Sequence, residues 1–340
     1  MSKTIALVVG ARPNFVKAFS LINASKEFNF DIKLIHTGQH YDENMSKVFL
    51  YEFGLEPDVF ICKEKLDKKE FLSKCLFGLM LEYDRIKPDI VISVGDTNSS
   101  LLAALAANKC RIPVAHVEAG LRSFDNRMEE ENNRILIDHI SSYLFVTEES
   151  GVENLKREGI VSNVFLVGNT MIDTLLSFTS KFAKVEKENF ALVTLHRQEN
   201  VDGNIEKALK YVNKLSEYFP VKFPVHPRTR SKLGNCRKNI ELLDPLCYTD
   251  FIQLLMKSKL VLTDSGGVQE ESSILNVPCF TLRQSTERPV TTSHGTNKLV
   301  TSLEEFEKAI SKLEEKLCII PLWDGLASKR ILAILEGGLT

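Results

Sequence analysis

Three acidic residues in the first half of the sequence could perform acid–base chemistry. Asp96 and Glu118 each follow a short apolar segment, and Glu130 lies in an acidic run at the start of a predicted helix. Carboxyl groups that share a partly dry site raise one another's pKa, so one can act as an acid and another as a base. Carboxylates are also metal ligands, and the residues alone leave that alternative open. Glu129 and Glu131 are expected to be solvated residues of the helix start, where acidic side chains favour the helix dipole.

The segment TDSGGVQEESS, residues 263–273, is typical of an anion site between a strand and a helix. Glycines such as Gly266 and Gly267 let a phosphate approach the backbone, and the free N–H groups after Ser265 favour negative charge. The alternative is a tight turn that needs glycine for a positive φ. Glu271 follows about one helical turn later. A carboxylate there would repel phosphate, but it could accept hydrogen bonds from ribose hydroxyls, by analogy with dinucleotide folds.

Cationic and imidazole side chains follow other strands. The proline between Arg12 and Lys17 suits the first position of a helix, so a helix is predicted to begin there, directly after the first strand. Arg12 and Lys17 therefore lie near the first predicted strand–helix turn. Arginine can bind phosphate through two hydrogen bonds and lysine as a point charge, whereas the alternative is a solvated pair. His196 and Arg197, and then His226, follow two successive strands of the second half. One histidine is more often structural, but two at successive strand ends favour a place in the site.

Short apolar strands must position most of these side chains. Strands are predicted at Ile5–Val9, Ile32–His36, Ile90–Val94, Val114–Val117, Leu144–Val146, Val164–Val167, Ala191–Leu195, Val221–Val225, Ile240–Leu243, Leu260–Leu262, Cys279–Leu282 and Lys298–Val300. Helical segments such as 70–83 and 205–218 separate many of them, a pattern typical of parallel sheets covered on both faces. Twelve strands exceed the eight of a closed barrel. The sequence therefore predicts an α/β fold of two doubly wound, Rossmann-like domains.

The boundary between the domains is placed after Gly168-Asn169, near Lys181–Glu188, where the sequence becomes rich in charged residues. We expect an N-terminal domain at 1–170 with the carboxylates, a C-terminal domain at 171–325 that binds the nucleotide, and a final helix at 326–340 that can cross back to the N-terminal domain. Open α/β sheets bind ligands at the carboxyl ends of their strands. The two domains are therefore expected to face across a cleft, with a nucleotide diphosphate as the shared ligand.

Composition excludes several classes of protein. The 340 residues carry 43 Lys+Arg and 45 Asp+Glu, so no basic excess favours nucleic acid or an anionic membrane surface. The seven cysteines are scattered singly, which argues against zinc or a disulfide framework and fits a reducing cytoplasm. The first apolar run is interpreted as a strand rather than a signal peptide. No G-x-G-x-x-G, Walker, G-x-S-x-G or H-E-x-x-H motif occurs.

Eleven segments in order resemble the non-hydrolysing UDP-N-acetylglucosamine 2-epimerase family. They are GARPNFVKA, HTGQHYDENMS, GDTNSS, AHVEAGLRSFDNRMEEENNR, FVTEESGVENL, VGNTMIDTLL, VTLHRQENVD, FPVHPRTR, LTDSGGVQEE, TERPVTTSHGTN and PLWDG. The resemblance runs from residue 10 to 325, nearly the whole chain. The strings GARP, GDT and HVEAGLR favour the non-hydrolysing branch over the hydrolysing one.

The resemblance implies a GT-B-like fold, a homodimer and a cytoplasmic enzyme whose products feed polysaccharide biosynthesis. It implies interconversion of UDP-GlcNAc and UDP-ManNAc without a cofactor or metal, by elimination of UDP to 2-acetamidoglucal and re-addition. Asp96, Glu118, Glu130 and His196 resemble the family's catalytic residues. The substrate-binding residues that it implies are Arg12, Lys17, Phe251, Ser265, Gly266, Gly267, Glu271 and Arg288.

The sequence departs from the family at two places. Glu129 stands where a proline is expected at the helix start, and VFICKEKLDKKE at 59–70 replaces a longer, Gly-rich loop. In some bacterial members a second UDP-GlcNAc molecule near that loop activates the enzyme, so this regulation is not expected to carry over. A related UDP-sugar such as a 2,3-diacetamido uronate, a glycosyltransferase of the same architecture, a hydrolysing epimerase and a UDP-sugar sensor are the alternatives.

Overall fold

The computed structural model describes residues 2–39, 43–183, 185–196, 200, 205–225, 230, 233, 239–313 and 317–339, with the backbone alone for 43–47. Its strands are β1 Lys3–Val9, β2 Phe30–His36, β3 Val59–Phe60, β4 Ile90–Val94, β5 Val114–Ala119, β6 Tyr143–Val146, β7 Val164–Leu166, β8 Ala191–Thr194, β9 Val221–Pro224, β10 Ile240–Leu243, β11 Leu260–Thr263, β12 Cys279–Thr281 and β13 Asn297–Leu299.

Helices follow most of the strands. They are α1 Arg12–Ser25, α2 Glu43–Phe53, α3 Lys68–Ile86, α4 Asn98–Lys109, α5 Glu129–Ile140, α6 Glu149–Arg157, α7 Thr170–Thr179, α8 Ile205–Leu215, α9 Tyr248–Lys257, α10 Gly266–Ile274, α11 Pro289–Ser293, α12 Leu303–Ser311 and α13 Ala327–Gly338. Among the described residues, none of the helices is both long enough and apolar enough to cross a membrane.

Two parallel sheets carry the chain. The described strands form one sheet in the order β3-β2-β1-β4-β5-β6-β7 and another in the order β10-β9-β8-β11-β12-β13. Every described strand pair is parallel. The central strands are mostly apolar and buried, as expected where helices cover both faces of a parallel sheet; all five residues of β4 are buried. The prediction of twelve strands is thus confirmed, and β3 is an additional two-residue edge strand too short for a sequence pattern to reveal.

The chain divides into two compact units, Met1–Ser177 with Pro321–Thr340, and Phe178–Ile320. These limits differ from the expected 170 and 325 because side-chain hydrogen bonds hold both flanking segments in the first unit. The Thr174 hydroxyl donates to the Val16 carbonyl at 2.6 Å. The Trp323 indole donates to the Thr147 carbonyl at 3.0 Å. The carboxylate of Asp173 accepts two N–H groups from the start of α13, which therefore packs in the first unit.

Candidate active site

Each sheet has one point where the strand order reverses, and the candidate residues gather at both points. In the first unit the reversal lies between β1 and β4, and in the second between β8 and β11. Loops that leave such neighbouring strands diverge to opposite faces of the sheet, which opens a crevice outside the carboxyl ends of the strands. Each unit therefore has its own ligand-binding edge.

The turn from β1 into α1 is packed so closely that it requires glycine. A Cβ on Gly10 would lie 1.9 Å from the Ser99 hydroxyl and 2.2 Å from that of Thr37. Asn14 holds the turn in place: its side-chain oxygen accepts the Ala11 N–H at 3.0 Å, and its amide donates to the Val94 carbonyl at 2.8 Å. This frame fixes the start of α1, which carries Arg12 in its first turn and Lys17 in its second.

Glu118 is aimed by an irregularity in β5. The pairing of β5 with β6 shifts register between Val117 and Ala119, and Glu118 has a φ of 79°, in the left-handed region. A bulge of this kind turns a side chain away from the regular alternation of a strand. The Glu118 carboxylate is buried and forms an ion pair with the ammonium of Lys17, which is also buried. The first unit thus holds a compensated charge pair at its ligand-binding edge.

Asp96 emerges from the neighbouring strand and has a cationic partner of its own. The Gly95 N–H donates to the Val117 carbonyl at 3.0 Å, which sets the end of β4 beside the end of β5. The Asp96 carboxylate pairs with the Arg134 guanidinium, and the Asp96 carbonyl accepts from the Asn133 amide at 2.9 Å. Asp96 and Glu118 therefore lie at adjacent strand ends, as their sequence positions predict.

The acidic helix start separates into exposed and buried residues. Glu129 is exposed and pairs with Lys68 at 2.7 Å, and Glu130 is exposed on the first turn of α5. Glu131 is buried; its carboxylate accepts hydrogen bonds from the N–H groups of Ser123 and Phe124 at 2.9 Å. The expectation of a solvated Glu131 is therefore wrong, because this side chain turns inward to satisfy the loop that precedes α5. Among the described residues, no group of three or more His, Cys, Asp or Glu side chains could hold a metal ion.

Arg12 lies at the first residue of α1, with its guanidinium 5.7 Å from the centre of the Phe49 ring. Partial burial lowers the pKa of Arg12 from its ordinary range, because desolvation disfavours the charged form. An arginine held this way offers a planar set of N–H donors that suits a phosphate oxygen pair.

In the second unit, a fully buried aspartate fixes the only candidate histidine that the structure describes. Asp264 follows β11, and its carboxylate accepts the His196 N–H at 3.1 Å. The Nδ1 atom of His196 lies 3.3 Å from the same carboxylate, and the ring is half exposed. The Asn200 amide also donates to Asp264, at 2.9 Å. His196 is thus anchored on one side and open to solvent on the other.

The start of α10 presents backbone N–H groups beside a held arginine. Ser265 precedes the helix, and Gly266 and Gly267 form its first two residues. A Cβ on Gly266 would lie 2.5 Å from Nη1 of Arg288, so the glycine allows the guanidinium to approach the helix start. Arg288 is buried, and its guanidinium contacts the buried carboxylates of Glu270, at 2.6 Å, and Glu287. Glu287 also contacts Arg283, at 2.7 Å.

Glu271 is buried one turn into α10. Burial raises the pKa of Glu271 to about 8; Glu270 adds to the rise, and the Tyr248 hydroxyl opposes it. At neutral pH the group is therefore mostly uncharged, so the repulsion of phosphate that the sequence suggested is largely removed. A neutral carboxyl can also donate a hydrogen bond as well as accept one.

The comparisons with known proteins agree with one another. The family model described as UDP-N-acetylglucosamine 2-epimerase matches residues 23–336. A protein of that name from Methanocaldococcus jannaschii is 40% identical over a 363-residue alignment that covers 98% of this chain and 99% of that one. A UDP-2,3-diacetamido-2,3-dideoxy-D-glucuronate 2-epimerase from Pseudomonas aeruginosa is 39% identical over 312 residues, 87% of this chain and 88% of that one.

A solved structure matches the whole chain. The Methanocaldococcus jannaschii UDP-GlcNAc 2-epimerase in complex with UDP-GlcNAc and UDP superposes with a TM-score of 0.87 at 39% identity, and covers 98% of this chain and 100% of that one. The chain belongs to the UDP-N-acetylglucosamine 2-epimerase family. The resemblance noted in the sequence, the α/β class and the GT-B-like fold are thereby confirmed, and the protein is an epimerase.

For an enzyme of the epimerase family, the structure brings most of the predicted residues to the two edges. Arg12, Lys17, Asp96 and Glu118 share the edge of the first unit, and Glu130 lies exposed on α5. The edge of the second unit holds Ser265, Gly266, Gly267, Glu271 and Arg288. His196 lies at the same edge, after the end of β8. Phe251 is half-buried in the first turn of α9. Arg197 and His226 lie outside the described residues, so their places in the site stay predictions.

Several residues that sequence reasoning passed over support those side chains. Arg134 holds Asp96, Asp264 holds His196, and Glu287 holds Arg288. Each of these residues lies inside a quoted segment. Their pairing could not be predicted, because the partners are either direct neighbours or 18 to 68 positions apart, and no regular spacing in the sequence marks such pairs. The buried Glu131 could have been suspected only from the arginine three residues later, which pairs with it at 2.7 Å.

Proposed function

We propose that this epimerase inverts carbon 2 of UDP-GlcNAc and gives UDP-ManNAc without hydrolysis. The observation that carries the proposal is the pair of acids at adjacent strand ends, Asp96 and Glu118, in a chain of the 2-epimerase family. Two carboxyl groups, each beside its own cation, suit the removal of a proton from one face of a sugar ring and its delivery to the other.

The chemistry requires departure of UDP before or during proton removal, because the hydrogen on carbon 2 has no adjacent carbonyl to acidify it. The C1–O bond breaks with its electron pair going to the diphosphate, a base takes the carbon 2 proton, and 2-acetamidoglucal results. Re-addition of UDP to carbon 1, with protonation of the opposite face of carbon 2, gives the epimer. No net oxidation occurs, so the reaction needs no redox cofactor.

The residues divide by the charge that they meet. Asp96, Glu118 and Glu130 are proposed as the acids and bases, with His196 as a further catalytic group. Arg12, Lys17, Arg288 and the N–H groups of Ser265, Gly266 and Gly267 would stabilise the departing diphosphate. Glu271, Phe251, Arg197 and His226 are proposed to bind the nucleotide, and Glu271 suits ribose hydroxyls because its neutral form both donates and accepts.

The test is an NMR time course with UDP-GlcNAc in deuterated water. We expect UDP-ManNAc to accumulate to equilibrium, with one solvent deuteron at carbon 2 of the product. Retention of all substrate hydrogen at carbon 2 would rule out the elimination. Release of free ManNAc and UDP would assign the hydrolysing reaction. A requirement for an added acceptor would assign a glycosyltransferase.

A second substrate is favoured by one comparison. The Pseudomonas aeruginosa relative is named for a diacetamido glucuronate and is 39% identical over 87% of this chain. The same elimination and re-addition would serve that sugar, since the reacting carbons are unchanged. Measuring kcat/KM on a panel of UDP-HexNAc sugars and UDP-diacetamido uronates decides between the two substrate classes. The physiological class is the one with the higher kcat/KM.

We also propose that the enzyme is a homodimer. On α3, Phe77 and Leu81 lie one helical turn apart and are 65% and 53% exposed, a spacing that forms an apolar strip. Light scattering after gel filtration should give twice the chain mass of 38.4 kDa. Replacing both residues with Lys should give the monomer mass, and an unchanged mass would remove the strip from the interface.

A further inference from the structure

His116 links the elements that carry the three proposed catalytic acids. It lies on β5, two residues before Glu118, and is fully buried. Its Nε2 atom lies 2.9 Å from the carbonyl oxygen of Gly95, the residue before Asp96. Its Nδ1 atom lies 2.6 Å from Oδ1 of Asp138, on the same helix as Glu130. One side chain thus joins the ends of β4 and β5 to α5.

Both partners of the imidazole ring accept hydrogen bonds. A carbonyl oxygen has no proton to give, so Nε2 must carry one. Asp138 is held as a carboxylate, because its Oδ2 atom accepts the Gly120 N–H at 3.1 Å and lies 2.7 Å from Nη2 of Arg122. Nδ1 must therefore donate as well.

We propose that His116 is a protonated positioning residue, an imidazolium that holds the Gly95 carbonyl and thereby sets the carboxylate of Asp96 for epimerisation. The inference rests on the proposed function. Its site is distinct from the acids themselves, because His116 is fully buried and acts on the peptide that precedes Asp96.

The hydrogen bond from His116 acts at Gly95, where the backbone is closely packed against other groups of the site. It has a φ of 70°, and a Cβ there would lie 3.2 Å from Oε2 of Glu118 and 3.4 Å from Nζ of Lys17. The peptide between Gly95 and Asp96 therefore lies against the buried ion pair. A rotation of that peptide would move both the Asp96 backbone and the space beside Glu118. The donated hydrogen bond from His116 opposes such a rotation.

The charges around the ring are balanced without His116 becoming neutral. Asp138 and Arg122 lie on one side of the ring, and Glu158 pairs with Arg122 at 2.7 Å. On the Gly95 side lies the ion pair of Glu118 and Lys17. The carboxylates of Asp138, which is buried, and of Glu158, which is 26% exposed and also lies 3.9 Å from His139, thus face Arg122 and His116, so a positive imidazole balances this set.

The protonation state can be measured on the wild-type enzyme without any assay. The full chain is labelled with ¹⁵N-histidine, and the His116 resonances are assigned by their loss in His116→Gln. We expect both ring nitrogens to show the chemical shift of a protonated nitrogen at pH 7.5. One protonated and one bare nitrogen at pH 7.5 would overturn the proposal.

The positioning role is tested by a matched pair of variants. The longer Gln amide in His116→Gln can reach the Gly95 carbonyl, whereas the shorter amide in His116→Asn can reach only Asp138. We expect His116→Asn to lose about 10²-fold in kcat, the scale of an ångström-sized misplacement, with KM within about twofold. His116→Gln should keep at least tenfold more activity than His116→Asn.

Thermal melts of both variants separate positioning from folding. A purely structural role predicts equal losses of stability and equal kcat values per folded molecule in the two variants, and that result would overturn the proposal. Wild-type kcat in both would overturn it too. If the wild-type enzyme epimerises no UDP-HexNAc, the proposed function fails, while the ¹⁵N shifts still decide the protonation of His116.

Discussion

The two ligand-binding edges use buried acidic residues in opposite ways. In the first unit Glu118 and Asp96 have cationic partners, Lys17 and Arg134, so each carboxyl group lies beside a compensating positive charge. In the second unit Glu271 is buried at the start of α10, and its pKa rises to about 8. The same side-chain chemistry therefore gives carboxyl groups paired with cations at one edge and a mostly neutral carboxyl at the other.

The difference fits the proposed function, in which the acids of the first unit serve the sugar and the helix start of the second unit serves the diphosphate. Proton transfer at a sugar carbon needs ionised carboxylate to accept a proton, and a nearby cation stabilises that state. A diphosphate at a helix N-terminus needs donors and little negative charge. In the proposed function, a neutral Glu271 would add hydrogen-bonding capacity one helical turn beyond Gly266 without repelling the phosphate. Environment rather than residue type assigns each acid its task.

The contrast between the two edges is wrong if neutral amides can replace the acids of the first unit without a loss of kcat. Asp96→Asn and Glu118→Gln should each lower kcat by about 10²–10⁴-fold, the usual contribution of a general acid or base. NMR turnover of UDP-GlcNAc measures it. Glu129→Gln is the matched control, since Glu129 is exposed and pairs only with Lys68 among its described contacts. A loss as large in Glu129→Gln as in the other two would show that net charge matters and not position.

The edge of the second unit is tested through its close approach of glycine and arginine. Gly266→Ala places a methyl group 2.5 Å from Nη1 of Arg288, so the guanidinium must move away from the helix start. We expect KM for the UDP-sugar to rise about tenfold, the loss of one charge-assisted hydrogen bond, with a smaller change in kcat. Gly337→Ala, where a Cβ meets nothing within 4 Å, is the control. An unchanged KM in Gly266→Ala would remove Arg288 from the diphosphate site.

The neutral state of Glu271 predicts a pH dependence of stability. Its folded pKa of about 8 lies above the usual 4.5 of an unfolded glutamate, so the folded state binds the proton more tightly. The free energy of unfolding should therefore fall as pH rises from about 5 to 8, by up to about 1.4 kcal/mol per pH unit. Urea unfolding of wild type and Glu271→Gln at several pH values measures the difference. Parallel pH profiles would contradict a buried, protonated Glu271.

The smallest expected effect lies at the exposed ion pair of Lys68 and Glu129. Both side chains are largely exposed, so the pair should contribute less than about 1 kcal/mol to the free energy of unfolding. Lys68→Ala should leave kcat within twofold. A loss of kcat comparable to that of Asp96→Asn would mean that the first residue of α3 holds the start of α5, and so Glu130, in place.

Local patterns in the sequence were enough for the sheets and for the residues at their ends. Apolar runs such as Ile90–Val94 identify buried parallel strands, because a strand covered on both faces has no polar side. Once the strands are known, Asp96 and Ser265 fall at carboxyl ends, where ligands bind in this architecture. The quoted segments, read in order, gave the family.

Which acid lies beside a cation, which is buried and neutral and which holds the backbone of a loop was decided by tertiary contacts. Glu130 and Glu131 are neighbours in one helical turn, yet one is exposed and the other is buried against Ser123 and Arg134. The side chain of Glu118 is directed by a bulge in β5, and no residue type in the sequence predicts that bulge. The physical reason is that burial and pairing depend on how the folded chain surrounds a side chain, and the free energy of a charge depends on those neighbours rather than on its place in the sequence.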